Sequence, residues 1–183
     1  GIFNINGYDL PSRPTYTTEV LSLHESMPGH HLQIMLAEEN QNLPAFRRFG
    51  GPNAFIEGWG LYTEQLGKQL GLYTDPYQEF GYLSFDMWRA CRLVIDTAMQ
   101  EGRMTREEAI QFMLDNTSLT RTDVEAEVDR YIAYPGQALA YKAGQLDLLL
   151  LRDKARSVLG AKFVLRAYHD AVLMEGAMPL PIL

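Results

Sequence analysis

The sequence predicts an all-α fold, and three observations predict it. Apolar residues recur at helical spacing along most of the chain. Segment boundaries carry helix-capping signals. No stretch beyond the first few residues alternates with the period of two that a half-buried strand requires. Six or seven helices of unequal length, joined irregularly, set the chain apart from a simple four-helix bundle. Its 183 residues, 46% hydrophobic and 21% charged, suffice for one domain over 1–183 with its own core.

Residues 1–14 contain Gly, Asn and two prolines and read as an irregular lead-in. From Thr15 to about Asn40, Val20, Leu21, Leu23 and Met27, then Leu32, Ile34, Met35 and Leu36, read helical on both sides of Pro28-Gly29. A proline inside a helix removes a hydrogen bond and collides with the preceding turn, so a bulge or kink is expected there. Residues 41–53 form a loop, and a second helix runs from Ala54 to Leu70. Asp75-Pro76 caps a third that reaches about Gln100. Thr105 and Glu108 make a capping box that opens a short helix to Asp115. Thr120 opens another to about Tyr131. After Tyr134-Pro135-Gly136 a long helix continues to about Ser157, and a last one spans Ala161 to Glu175 before a proline-containing tail. No internal repeat is present.

The net charge is −7 and no Lys/Arg cluster exceeds pairs such as Arg47-Arg48, which argues against a nucleic-acid partner. No apolar run approaches the roughly 20 residues that cross a bilayer. A single cysteine, Cys91, excludes an internal disulfide and reads as a buried small hydrophobe. The opening, GIFNINGYDLPSRP, starts without methionine and reads like the interior of a longer protein. The absence of a targeting segment is therefore uninformative.

Three of the four histidines fall within HESMPGHHLQ, residues 24–33. In the zinc-protease signature H-E-x-x-H, one helical turn separates two histidines that reach one metal. Here position 28 is proline, and six residues of helix from His24 to His30 rise about 9 Å, too far for a shared ion. A bulge at Pro28-Gly29 that absorbs two residues restores the geometry. His30 is then the better ligand, with His31 beside it or facing substrate. A bland polar cluster is the competing reading, but three histidines and a glutamate around one bend are rare by chance. In NAFIEGWGLYTEQLG, Glu57 and Glu64 share a helix face amid apolar neighbours. Glu57 is the expected third ligand and Glu64 a carboxylate orienting a ligand histidine. Gly58 and Gly60 leave room for a backbone or a substrate. His169, alone in the last helix, reads as surface or core. Phe85, Met87 and Trp88 read as core, and Arg92 and Asp96 as an i, i+4 pair.

HESMPGHHLQ and the later EGWGLYTEQLG resemble the bacterial family called domain of unknown function 885, whose members carry H-E-x-x-P-G-H-H-L-Q and a later E-G-W. RLVIDT and YPGQALAYKAG extend the likeness over most of the chain. The family is grouped with zincin metallopeptidases of the glutamate-ligand type, and its members are several hundred residues long. The resemblance implies a zincin-like catalytic domain from the C-terminal part of such a protein, with an N-terminal region as partner and a periplasmic or lipoprotein-anchored location. In the family Gly-Ile-His follows RLVIDT, whereas here Ala98-Met99-Gln100 stands, so that histidine has no counterpart.

The implied activity is a zinc-dependent peptidase using one Zn²⁺ and a peptide substrate. His24, His30 and Glu57 hold the metal, and Glu25 acts as general base towards water. Tyr134, Tyr141 and His31, with Arg89 and Arg92 as rivals, are candidates to stabilise the oxyanion. The alternative is a non-catalytic binding or scaffolding domain with a vestigial or structural metal site. Retention of Glu25 beside His24 favours catalysis, because a structural site has no use for a general base.

Overall fold

The computed structural model describes residues 2–183, and among them no strand occurs. Nine helical segments follow one another: α1 (Thr18–Glu25), α2 (His30–Glu39), α3 (Ala45–Arg48), α4 (Asn53–Glu64), α5 (Pro76–Gln100), α6 (Arg106–Asn116), α7 (Arg121–Ala133), α8 (Leu139–Leu159) and α9 (Leu165–Leu173). With α1 and α2 counted as one interrupted helix and the single turn of α3 set aside, seven helices remain, as the sequence predicts.

The predicted caps form. The Asp75 carboxylate accepts from the amides of Tyr77 and Gln78, and Thr105 and Glu108 close a reciprocal capping box. Thr120 accepts from the Asp123 amide at the start of α7. Each such cap contributes about 1 kcal/mol.

Helix ends without a capping side chain depart from expectation. The 41–53 loop contains α3, entered through Pro44 in extended conformation. The helix expected to reach Leu70 stops at Glu64; the chain tightens into a 3₁₀ turn, Gly67–Leu70, closed by left-handed Gly71 (φ 79°). Gly160 at φ 52° ends α8, and extended Phe163 and Val164 delay α9 to Leu165 rather than Ala161.

Two main cores result. Cys91 and Ile95 of α5 pack with Ile110 and Met113 of α6 and Val124, Val128 and Tyr131 of α7. Phe55, Trp59 and Tyr62 of α4 pack with Leu148 of α8 and Val172 of α9. Between α4 and α8 the backbones themselves meet: a Cβ on Gly58 would lie 2.6 Å from Gly144, and one on Gly144 would lie 1.9 Å from the Ala54 carbonyl oxygen. Gly58 thus makes room for a neighbouring backbone.

Two expectations need correction. Arg92 does not pair with Asp96: its Nη2 binds Glu127 Oε2 of α7 at 2.7 Å and its Nε donates to the Tyr131 hydroxyl at 3.1 Å. Asp96 instead accepts from the Gly136 amide at 2.9 Å, pinning the turn before α8. Met87 is not core; it is 49% exposed, whereas Phe85 and Trp88 are partly buried. No helix among the described residues is long and apolar enough to cross a membrane.

Candidate metal centre

The interruption of the first helix falls where the sequence places it. α1 ends at Glu25, Ser26–Gly29 leave helical geometry, and α2 restarts at His30. Breaking a helix strands carbonyl groups that need donors, and α4 supplies them. The Thr63 hydroxyl donates to the Leu23 carbonyl at 3.0 Å, and the Trp59 indole N–H to the Pro28 carbonyl at 2.8 Å. Gly29 permits the fold-back, since a Cβ there would lie 1.9 Å from the His24 carbonyl oxygen. The His24 and His30 rings consequently face each other edge-on, centroids 4.6 Å apart.

Glu57 of α4 completes the group. Its Oε2 lies 3.6 Å from His24 Nε2 and 3.2 Å from His30 Nε2, and the three donor atoms all lie within 4.8 Å of one another. Tetrahedral zinc with bonds of ~2.0–2.2 Å separates its donor atoms by roughly 3.3–3.6 Å; the spacing to His24 matches an edge of that tetrahedron and the spacing to His30 is slightly shorter. Room for the imidazoles comes from Gly60, where a Cβ would lie 2.8 Å from His24 Nε2 and 2.9 Å from His30 Cε1.

The remaining ring nitrogens are held from behind. His24 Nδ1 lies 2.7 Å from Glu64 Oε1, and Glu64, fully buried, also meets Arg89 Nη2 at 3.4 Å. His30 Nδ1 lies 3.4 Å from Gln33 Oε1. With Nδ1 of each ring turned to these oxygens, Nε2 is the nitrogen directed at Glu57, where it donates a proton to the carboxylate and is the atom a metal would take in its place. Glu64 is thus a buried carboxylate held between His24 and Arg89. Sequence reasoning passes over Gln33, although it stands three positions after His30 on one helix face.

The electrostatics follow. Burial opposes a charge on His24, but its hydrogen bonds with Glu57 and Glu64 outweigh that and raise its pKa. Burial likewise opposes ionised Glu57, and the two histidines overcome it, holding the carboxyl well below its usual range. Two histidines and an ionised carboxylate are a donor set that suits zinc.

The other predicted residues divide. Glu25 is exposed next to His24, and His31 is half-buried and outside the three-residue cluster. Tyr141 is buried with its ring stacked on His24, centroids 6.1 Å apart. Tyr134 is 58% exposed at the end of α7. Arg89 and Arg92 are buried and paired with Glu64 and Glu127 respectively. His169 packs against Trp59 and Tyr62, with Nε2 2.8 Å from the Tyr62 hydroxyl, and is no ligand. Trp59 and Thr63, which tie down the interrupted helix, carry no local signal; only the tertiary contact reveals them.

A family model described as "Bacterial protein of unknown function (DUF885)" matches residues 1–183. No curated protein matches the chain. Among solved structures, it is similar to "the putative lipoprotein from Colwellia psychrerythraea" at 45% identity and a TM-score of 0.94, over 97% of this chain and 31% of that one. It is also similar to "a putative lipoprotein of unknown function from Shewanella oneidensis" at 26% identity and a TM-score of 0.82, over 91% of this chain and 30% of that one.

Proposed function

The chain belongs to the bacterial family of unknown function DUF885, and from that premise we propose that it is the zinc-binding catalytic part of a peptidase. The observation that carries this reading is the convergence of His24 Nε2, His30 Nε2 and Glu57 Oε2 within 4.8 Å of one another, with Glu64 behind His24. Bound there, zinc supplies Lewis acidity that polarises a peptide carbonyl and acidifies a water.

The chain's own residues do the rest. Three protein donors without His31 make an open site rather than a closed structural one. Exposed Glu25 takes a proton from the attacking water onto its carboxylate and delivers it to the leaving amine nitrogen. The Tyr141 hydroxyl accepts from Arg130 and Gln137, which leaves its own proton to donate to the developing oxyanion. Tyr134 and His31, exposed and half-buried respectively, are the other candidates for that donor. The description of both solved relatives as lipoproteins supports an envelope location, periplasmic or lipid-anchored.

Elemental analysis of the purified chain should find one zinc per polypeptide, lost in His30→Ala. Glu25→Gln should keep the zinc and lower peptide hydrolysis by about 10²–10⁴-fold. A chain that neither contains nor takes up zinc would sink the reading. Zinc without hydrolysis in the unaltered chain would return it to a binding or scaffolding domain.

A further inference from the structure

Arg130, near the end of α7, carries a charge that the fold does not fully use. Its nearest carboxylate, Glu127, lies 3.4 Å from Nη1 but is held more closely by others: the buried Arg92 at 2.7 Å and the Tyr131 hydroxyl at 2.8 Å. Two guanidinium groups therefore share one carboxylate, and the Arg130 side chain stays 38% exposed. Its Nη2 donates to Gln137 Oε1 at 2.7 Å and to the Tyr141 hydroxyl at 3.3 Å. Gln137 Nε2 donates to that same hydroxyl at 3.5 Å. A phenol that accepts twice keeps its own proton for a third group. The segment is fixed, because Asp96 holds the Gly136 amide immediately before Gln137. Its Tyr141 ring lies stacked on the imidazole of His24.

We infer that Arg130 and Gln137, placed beside Tyr141, form a subsite for a substrate carboxylate next to the scissile bond, an inference that rests on the catalytic reading of the His24–His30–Glu57 centre. A guanidinium has five N–H donors, and with three engaged by Glu127, Gln137 and Tyr141 two remain for a carboxylate, the anion it matches best. The charges nearby point the same way. Glu57 and Glu64 lie against His24, with Arg89 behind Glu64, whereas the face beyond Tyr141 offers Arg130. An anionic group on a peptide is retained by the second. The carboxylate comes either from the chain terminus of the peptide, which makes the site a carboxypeptidase, or from an acidic side chain next to the cleaved bond.

The test separates this subsite from the metal. Calorimetric titration of the chelator-stripped chain should show acetyl-Ala-Phe binding on the order of 10-fold or more tighter than its C-terminal amide, as a charge-assisted pair provides. The Arg130→Gln variant should bind the two equally, and Arg130→Lys, which keeps the charge but not the fork, should show a reduced preference. Acetyl-Ala-Glu-Ala-amide distinguishes the sources: binding like the free acid points to an acidic side chain, binding like the amide to the terminus. Absence of binding, equal binding of acid and amide by the unaltered chain, or a preference unchanged in both variants overturns the proposal. Zinc uptake, followed separately by competition with a chromogenic chelator, should be unaltered in Arg130→Gln. A chain that takes zinc without discriminating acid from amide loses the subsite alone. One that discriminates without taking zinc keeps the subsite and loses the metal reading.

Discussion

Gly60 shows how much of the centre depends on a missing atom. A methyl group there would stand within 3 Å of both ligand rings, and the rings would have to turn away from Glu57. On a helix the same exchange otherwise favours folding by about 1 kcal/mol. Gly60→Ala should therefore leave the metal-free melting temperature unchanged or raised while zinc affinity falls 10-fold or more. Thermal melts and chelator competition measure the two separately, and an undiminished zinc affinity would contradict the assigned ligand positions. Single residues are legible in the sequence where chemistry forces a pattern. His24, His30 and Glu57, which the fold brings together, announce themselves because chance rarely sets an interrupted histidine motif beside a carboxylate in an apolar helix. Arg92 is illegible for the opposite reason: Asp96 is its neighbour in sequence, but Glu127 arrives from another helix and offers a shorter, buried contact.

Helices are legible where their ends are written in side chains and blurred where the backbone alone decides. Asp75, Thr105 and Thr120 mark their caps correctly. The 3₁₀ turn after α4 and the end of α8 depend on Gly71 and Gly160 at positive φ, a conformation no local pattern declares. Docking of α5 on α7 has a measurable acid dependence. Burial pushes Glu127 towards protonation, but Arg92 and Tyr131 outweigh it, so the folded carboxyl lies below its ordinary value of 4.5. Such a group contributes stability above 4.5, and the contribution is lost as pH falls through the lower folded value. Melting temperature should accordingly decline from about pH 4.5 downwards. Glu127→Gln should flatten that limb and, by leaving Arg92 buried without its carboxylate, cost about 3 kcal/mol near neutrality. A variant whose acid limb matches the parent's would show that other carboxylates set it.

Across the whole molecule, α5 has two faces of different character. One buries Arg89, Arg92, Ile95 and Asp96; the other exposes Phe80, Leu83, Met87 and Val94, each between 46% and 53% accessible. Their spacing of three, four and seven is that of a seam between paired helices, and the chain spans 31% of the Colwellia relative. The isolated 183-residue chain should self-associate with rising concentration, and Leu83→Glu combined with Met87→Glu should return it to monomer in sedimentation velocity runs. A parent chain monomeric at millimolar concentration would disprove this. Elsewhere the molecule leaves no slack. At the crossing of α4 and α8 no side chain stands between Gly58 and Gly144 to act as a cushion. Glu57 precedes one of these glycines, and Tyr141 stands a turn before the other. The crossing is thus a hard stop with the tolerance of a machined joint: it sets how far the phenol stands from the ligand helix, whatever the metal or the peptide does.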